Sequence, residues 1–148
     1  MNVSEIMTPN PTCCTPETGL QEVARMMVDN DCGEIPVVEN FDTRIPVGVV
    51  TDRDITCRTV AKGLNPLEMS ASDCMTPNPV SVRPDLSVEE CGLIMEDNKI
   101  RRILVVDETG ACTGIVALAD LASNATKTDA GDILQEVSAS TASASGTE

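Results

Sequence analysis

Met7-Thr8-Pro9-Asn10-Pro11 recurs as Met75-Thr76-Pro77-Asn78-Pro79, and this repetition decides how the chain is read. Similar lead-ins precede the two copies, Val3-Ser4-Glu5-Ile6 and Ala71-Ser72-Asp73-Cys74. The match continues at constant offset through Pro16 and Pro84, and through Met27 to Asn30 and Met95 to Asn98. Ile35-Pro36-Val37-Val38 then answers Ile103-Leu104-Val105-Val106. The first copy carries two extra residues in the following loop, and alignment resumes at Gly48-Val49-Val50 and Gly114-Ile115-Val116. Two matched halves of roughly 60 residues imply duplication and a pseudo-twofold structure.

Each half has the same local pattern. Thr12 to Thr15 and Val80 to Arg83 read as short extended segments bounded by proline. Leu20, Val23, Ala24 and Met27 fall at i, i+3, i+4, i+7 and form one apolar helical stripe; Val88, Cys91, Gly92 and Met95 repeat it. Thr18 with Gln21, and Ser87 with Glu90, have capping-box spacing. Two β-rich runs follow, Ile35 to Val38 and Val47 to Val50, then Ile103 to Val106 and Cys112 to Val116 in the second half. A second helix begins near Asp52 and near Leu118. The order is β-α-β-β-α, twice. Neither half has enough helix to cover its sheet, so the expected α/β architecture packs the two repeats by their sheets with helices outside. The boundaries read as a first domain over 1–62, a linker over 63–70 within the stretch Thr59 to Ser70, and a second domain over 71–126. A Ser/Ala/Thr-rich tail over 127–148 is expected to be disordered, apart from one helical turn over Asp132 to Val137.

Composition narrows the function. The 148 residues hold 24 acids against 10 bases and no His, for a formal net charge of −14. That charge opposes nonspecific binding to nucleic acid or anionic membrane. Nothing approaches the ~18 apolar residues of a membrane span. Without His, Ser-His-Asp and Cys-His catalysis and His-based zinc sites are excluded. One Phe, no Trp and no Tyr leave an aliphatic, Met-filled core. Seven Cys without ligand spacing, behind an N-terminus without an apolar run, read as buried reduced thiols in a cytoplasmic protein. A zinc site or redox pair among Cys13, Cys14 and Cys32 is the alternative.

The functional candidate is Gly48-Val49-Val50-Thr51-Asp52-Arg53-Asp54, where a strand ends and a helix begins. Such a junction directs unpaired N–H groups at a bound anion. Thr51 offers a hydroxyl donor suited to phosphate, and the Asp54 carboxylate can accept from two vicinal hydroxyls of a ribose. Gly48 permits a close approach to the backbone. Thr51 and Asp54 also have the spacing of a plain helix cap. Lys99, Arg101 and Arg102 crowd together before Ile103, and clustered guanidinium in an acidic chain suggests a local anion site. A salt-bridge network with the surplus acids would account for them as well.

In their order and duplication these pieces resemble a tandem pair of cystathionine-β-synthase (CBS) domains, a Bateman module, over about residues 3 to 123. The resemblance rests on Met-Thr-Pro at each start, the Ile-Pro-Val-Val and Arg-Arg-Ile-Leu-Val-Val-Asp strands, and Gly-Val-Val-Thr-Asp-Arg-Asp. It implies a regulatory fold, usually dimeric, whose clefts bind AMP, ADP, ATP or S-adenosylmethionine as ligand rather than as a required cofactor. Carried over, Asp54 would contact ribose, Thr51 and Arg53 ribose or phosphate, and Arg101 and Arg102 phosphate. Val49, Pro79, Val80 and Ile100 would line an aliphatic adenine slot. The other cleft departs from the pattern. Ala117 replaces the hydroxyl residue in Gly114-Ile115-Val116-Ala117-Leu118-Ala119-Asp120, and Gly33 and Glu34 stand where Arg101 and Arg102 would. A weaker second cleft is therefore expected around Asp120, Ile35 and Pro36, empty or taking a nucleoside without phosphate.

The resulting expectation is a sensor, not an enzyme, acting as a homodimer on an effector protein the sequence does not name. A ligand-free interaction module, or a redox role through cysteine, is the alternative. Asp54→Ala is expected to weaken ligand binding while leaving the fold intact.

Overall fold

Both copies of Met-Thr-Pro-Asn-Pro end in the same backbone feature. In the computed structural model, which describes residues 1–124, Asn10 and Asn78 take left-handed conformations, φ 48° and 53°. Asn tolerates that region better than most residues, because its short amide bonds locally. The preceding Thr-Pro pairs form two-residue strands, and the flanking prolines keep the chain extended.

In chain order the elements are β1 (Thr8–Pro9), α1 (Leu20–Asn30), β2 (Glu34–Val38), β3 (Pro46–Thr51), α2 (Asp52–Arg58) and α3 (Ala71–Cys74). Then come β4 (Thr76–Pro77), β5 (Ser81–Val82), α4 (Val88–Asn98), β6 (Arg102–Val106), β7 (Cys112–Ala117) and α5 (Leu118–Asn124). Single 3-10 turns cover Val3–Glu5, Val60–Lys62 and Pro66–Glu68. The expected helices and the strands β2, β3, β6 and β7 are present, within a residue or two at the ends, in a mixed α/β chain with two sheets. Of the expected strand Thr12 to Thr15 only Cys14 pairs, in an isolated bridge with Val37, and of Val80 to Arg83 only Ser81–Val82 is strand. The expected turn at Asp132 to Val137 and the tail from 127 lie outside the described residues. Among the described residues, no helix is long and apolar enough to cross a membrane.

The chain divides into two compact units that exchange the repeats' lead-ins. The first-repeat unit holds residues 10–79 and 108–112. Its three-stranded sheet has the order β2-β3-β4, so the second copy's Thr-Pro strand pairs antiparallel with β3 of the first copy, Gly48 opposite Pro77. Among the described residues, the second-repeat unit holds 1–9, 80–107 and 113–124. Its sheet has the order β1-β7-β6-β5, with Pro9 opposite Gly114.

Backbone bonds repeat this exchange position for position. In the second-repeat unit, Val3 N donates to Leu86 O (2.9 Å), Ser4 N to Pro84 O (3.0 Å) and Val88 N to Met1 O (3.1 Å). In the first-repeat unit, Ala71 N donates to Thr18 O (2.8 Å), Ser72 N to Pro16 O (3.0 Å) and Leu20 N to Met69 O (2.9 Å). Each lead-in is thus tied to the start of the other copy's first helix, at about 0.5–1.5 kcal/mol net per bond.

The glycines explain why the exchanged strands fit. A Cβ on Gly48 would sit 2.8 Å from Met75 Sδ and 2.9 Å from Thr76 O. A Cβ on Gly114 would overlap Met7. The Met of each lead-in lies on the glycine of the strand it joins.

The helical stripes face their cores as their period requires. Leu20, Val23 and Met27 of α1 are buried, and Ala24 is half-buried. In α4, Val88, Cys91, Gly92 and Met95 are all buried. One cluster gathers Cys14, Val23, Met27, Ile35, Val37, Val50 and Ala71. The other includes Val3, Ile6, Val88, Met95, Ile103, Val116 and Leu121. Each lead-in therefore contributes to the core it joins.

The helix starts correct one expectation. Ser87 caps α4, accepting from Glu90 N at 3.1 Å. Thr18 does not cap α1. The cap position is Gly19, which has no side chain to offer, and Thr18 Oγ1 accepts from Thr15 N instead (3.1 Å). The helix begins one residue later than the Thr18–Gln21 spacing suggested, matching its twin.

Two substitutions test these contacts by denaturant unfolding. Gly48→Ala should destabilise by about 1–3 kcal/mol, because β4 must shift. Gly19→Ser has open space and the backbone of Ser87, so it should stabilise by a few tenths of a kcal/mol. An unaffected Gly48→Ala protein would show that β4 is free to move.

Candidate functional site

β3 ends at Thr51 and α2 starts at Asp52, which makes Thr51 the N-cap (φ −106°, ψ 162°). Its Oγ1 accepts from Asp54 N at 3.0 Å, and Asp54 Oδ2 accepts from Thr51 N at 3.0 Å. This is a complete capping box. The other oxygen, Asp54 Oδ1, lies 3.6 Å from Arg58 Nε, one helical turn on. Thr51 accepts through a lone pair, so its own O–H remains a donor. The helix-cap reading of this pair is therefore correct as far as it goes, and it leaves the Thr51 hydroxyl as a donor, with Asp54 Oδ2 bound to Thr51 N and Oδ1 facing Arg58. Arg53 is exposed on the first turn, and Val49 is half-buried on β3. Gly48 differs from the expectation. The groups that approach its backbone closely are Met75 and Thr76.

The arginines belong to the other unit. Lys99 is exposed at the end of α4 in the left-handed region (φ 54°), as is Asp31 (φ 49°) at the end of α1. Ile100 and Val80 are half-buried against the core that contains Ile103 and Met95. Arg101 and Arg102 are also half-buried. Arg101 O accepts from Leu118 N at 3.0 Å, which holds the residue against the start of α5. The Arg101 Nε atom is buried and has no hydrogen-bond partner among the described residues. A buried guanidinium N–H without an acceptor is costly, and such atoms need an explanation. Pro79, at the end of the first-repeat unit, is half-buried next to Asn78, whose N–H donates to Val47 O (3.3 Å).

The positions matching the arginines are built differently. Gly33 O accepts from Asp52 N at 3.0 Å, the counterpart of the Arg101–Leu118 bond. A Cβ on Gly33 would lie 3.1 Å from Asp52 Oδ2, so a carboxylate fills the space where a side chain would start. Asp120 Oδ2 accepts from Ala117 N at 2.8 Å, but Ala117 has no hydroxyl to return the bond. Ile35 and Pro36, named from the sequence as lining of a second cleft, are core residues. Ile35 is 1% exposed within the cluster of Val23 and Met27, and the Pro36 carbonyl accepts from Cys14 N at 3.0 Å. Their strand is packed on both faces, as its continuous apolar run Ile35 to Val38 allows.

All seven cysteines are thiols, with Cys32 and Cys57 exposed and the other five buried. Among the described residues, no group of three His, Cys, Asp or Glu side chains gathers to hold a metal, so Cys13, Cys14 and Cys32 form no zinc site. Cys13 and Cys14 diverge sharply. Cys14 sits in the core, and burial pushes its thiol up to about 12. Cys13 is hydrogen-bonded by the Cys112 side chain, which lowers its pKa to about 7; burial opposes this, and the Arg44 guanidinium adds to it. Arg44 Nη2 donates to Cys13 Sγ at 3.4 Å and to Pro11 O at 3.3 Å. Sequence reasoning marked Cys13 but missed Cys112 and Arg44, which lie far away in the chain. The signal that was present is the two-residue insertion in the β2–β3 loop. There Asn40 Oδ1 accepts from Asp42 N (3.0 Å) and Thr43 N (2.8 Å), and the turn carries Arg44 in a left-handed conformation (φ 56°).

The capping box revises the expectation that Asp54→Ala leaves the fold untouched. Losing the Thr51 N acceptor should cost about 0.5–2 kcal/mol in denaturant unfolding, whereas Asp54→Asn should cost much less. Equal stability of the alanine variant and the parent would mean that Asp54 does not hold the helix start.

The CBS-domain family model matches residues 3–58 and 71–127, the two halves of the repeat. The uncharacterized protein YlbB from Bacillus subtilis (strain 168) is 39% identical over 137 residues, which cover 92% of this chain and 90% of that protein. The CBS domain-containing protein YhcV of the same organism is 36% identical over 138 residues, covering 93% and 95%. Among solved structures, the CBS domain protein PAE2072 from Pyrobaculum aerophilum complexed with AMP is 28% identical. It superposes with a TM-score of 0.73 over 94% of this chain and 99% of that one. The chain belongs to the CBS-domain family and carries the tandem pair of a Bateman module.

Proposed function

We infer that this protein is a regulatory sensor for a phosphorylated adenosine compound of the AMP, ADP or ATP type. The observation that carries this reading is the buried Arg101 Nε without an acceptor. A phosphate oxygen supplies the missing acceptor in bidentate geometry, with Arg102 beside it. In the first-repeat unit, Thr51 and Asp54 are the groups proposed to meet ribose, with Arg53 next to them and Val49 and Pro79 as apolar neighbours; in the second-repeat unit, Val80 and Ile100 are the apolar groups proposed to accompany the arginines. Support comes from the PAE2072 structure, which is a complex with AMP. S-adenosylmethionine fits less well, because it brings a sulfonium cation and no phosphate to two arginines. At the matching positions Gly33 packs on the Asp52 carboxylate, so the second site takes no phosphate. Binding regulates only if it favours one arrangement of the protein over another. The proposed setting is a cytoplasmic homodimer acting on an effector protein, without catalysis of its own.

One observation favours a second reading, a module that works without ligand. Thr51 and Asp54 already satisfy each other in the capping box. Titration calorimetry with adenosine, AMP and ATP separates the two. The sensor reading expects one phosphate-dependent site per chain, and no binding by any of the three leaves the ligand-free module. Arg102→Ala should weaken ATP by about 10-fold or more and adenosine little, given about 1.5–3 kcal/mol for a hydrogen bond to a charged group. Equal losses for both ligands would remove Arg102 from the phosphate. A chain without Trp or Tyr absorbs little in the near ultraviolet, so co-purified adenine would dominate its spectrum.

A further inference from the structure

We propose that Cys13 and Cys112 are an oxidation site, closing to a reversible disulfide when a small hydroperoxide reaches Cys13. Three groups meet in the first-repeat unit. The Cys13 and Cys112 side chains are hydrogen-bonded, and Arg44 Nη2 donates to Cys13 Sγ at 3.4 Å. Backbone contacts fix the set. Cys112 N donates to Arg44 O at 2.8 Å, Arg44 Nε to Cys112 O at 3.5 Å, and the Cys13 thiol to Pro11 O at 3.3 Å. A cationic neighbour and a thiol donor favour the thiolate, which is the nucleophile.

The neighbouring cysteine is the wrong partner. Successive residues of an extended segment point to opposite faces. Cys14 is fully buried among Val23, Val37 and Val50, and its N–H is bound to Pro36 O. Cys13, on the other face, is 6% exposed beside exposed Thr12, which limits the oxidant to a small molecule such as hydrogen peroxide.

The chemistry balances in two steps. The Cys13 thiolate attacks one peroxide oxygen; an S–O bond forms, the O–O bond breaks, and hydroxide leaves and takes a proton as water. Cys13 is then a sulfenic acid, oxidised by two electrons. The Cys112 sulfur attacks the sulfenyl sulfur; the S–S bond forms, the S–O bond breaks, and hydroxide leaves with the Cys112 proton as water. Two thiols and one peroxide become one disulfide and two waters. The cross-link closes a loop of about 100 residues, so it should raise the thermal midpoint, and a dithiol should reverse it.

The test uses the full chain carrying Cys32→Ser and Cys57→Ser, which removes the two exposed thiols. After stoichiometric hydrogen peroxide, non-reducing digestion and mass spectrometry should recover a Cys13–Cys112 linked peptide that dithiothreitol abolishes. Adding Cys112→Ser should stop the reaction at a sulfenic acid on Cys13, trapped by dimedone. Arg44→Gln should slow the oxidation several-fold. The same digestion of peroxide-treated wild-type chain checks that the serine substitutions have not altered the outcome. A Cys13 that stays reduced in both proteins overturns the proposal, as does a disulfide from Cys13 to Cys14 or to a second chain.

Discussion

Each unit rests on a methionine lying across a glycine. Met75 covers Gly48, and Met7 covers Gly114, where a two-residue strand joins a sheet begun by the other copy of the repeat. So short a strand contributes little hydrogen bonding by itself. It holds because the flexible thioether fills the space left by the missing Cβ, and because the lead-in behind it is anchored twice more. Val3 and Ala71 are fully buried in the cores they join, and their N–H groups bind Leu86 O and Thr18 O. The apolar contact, the ladder and the helix start support one another.

This arrangement bears on function through the residues next to it. Val49 follows Gly48 on β3, and Thr51 and Asp54 close the same strand with a capping box. Thr51 and Asp54 are therefore held by elements that also carry the fold, which gives them rigid placement. The same economy appears at Arg101. Its carbonyl fixes the start of α5, while its buried Nε lacks an acceptor. A guanidinium N–H held there without an acceptor is a costly donor to leave unsatisfied. At the matching position of the first copy, Gly33 has no side chain and the Asp52 carboxylate takes the space.

Much of the fold was legible in the sequence because its signals are local. The stripes Leu20-Val23-Met27 and Val88-Cys91-Met95 follow the helical period, and Asn between two prolines marks the turns after the Thr-Pro strands. Duplication strengthened each signal by showing it twice. The misreadings share a cause. Thr18 and Gln21 have the spacing of a cap but lie one residue early, since the bond with Met69 sets where α1 begins. Ile35 and Pro36 were expected beside a second cleft, yet both are buried. Gly48 suggested room for a ligand, and its own chain occupies that room.

By itself the sequence determined the duplication, the helices and the main strands of each copy, and the family. Those properties depend on side-chain chemistry and short-range periodicity, which are written in neighbouring positions. Only the tertiary structure decided which strand each Met-Thr-Pro joins, that Thr51 and Asp54 cap one another, and that Arg101 Nε is buried without a partner. It alone brought Cys112 and Arg44 to Cys13. Backbone hydrogen bonds and buried contacts between distant segments carry no local signature, because any extended segment can pair with any other until packing selects one.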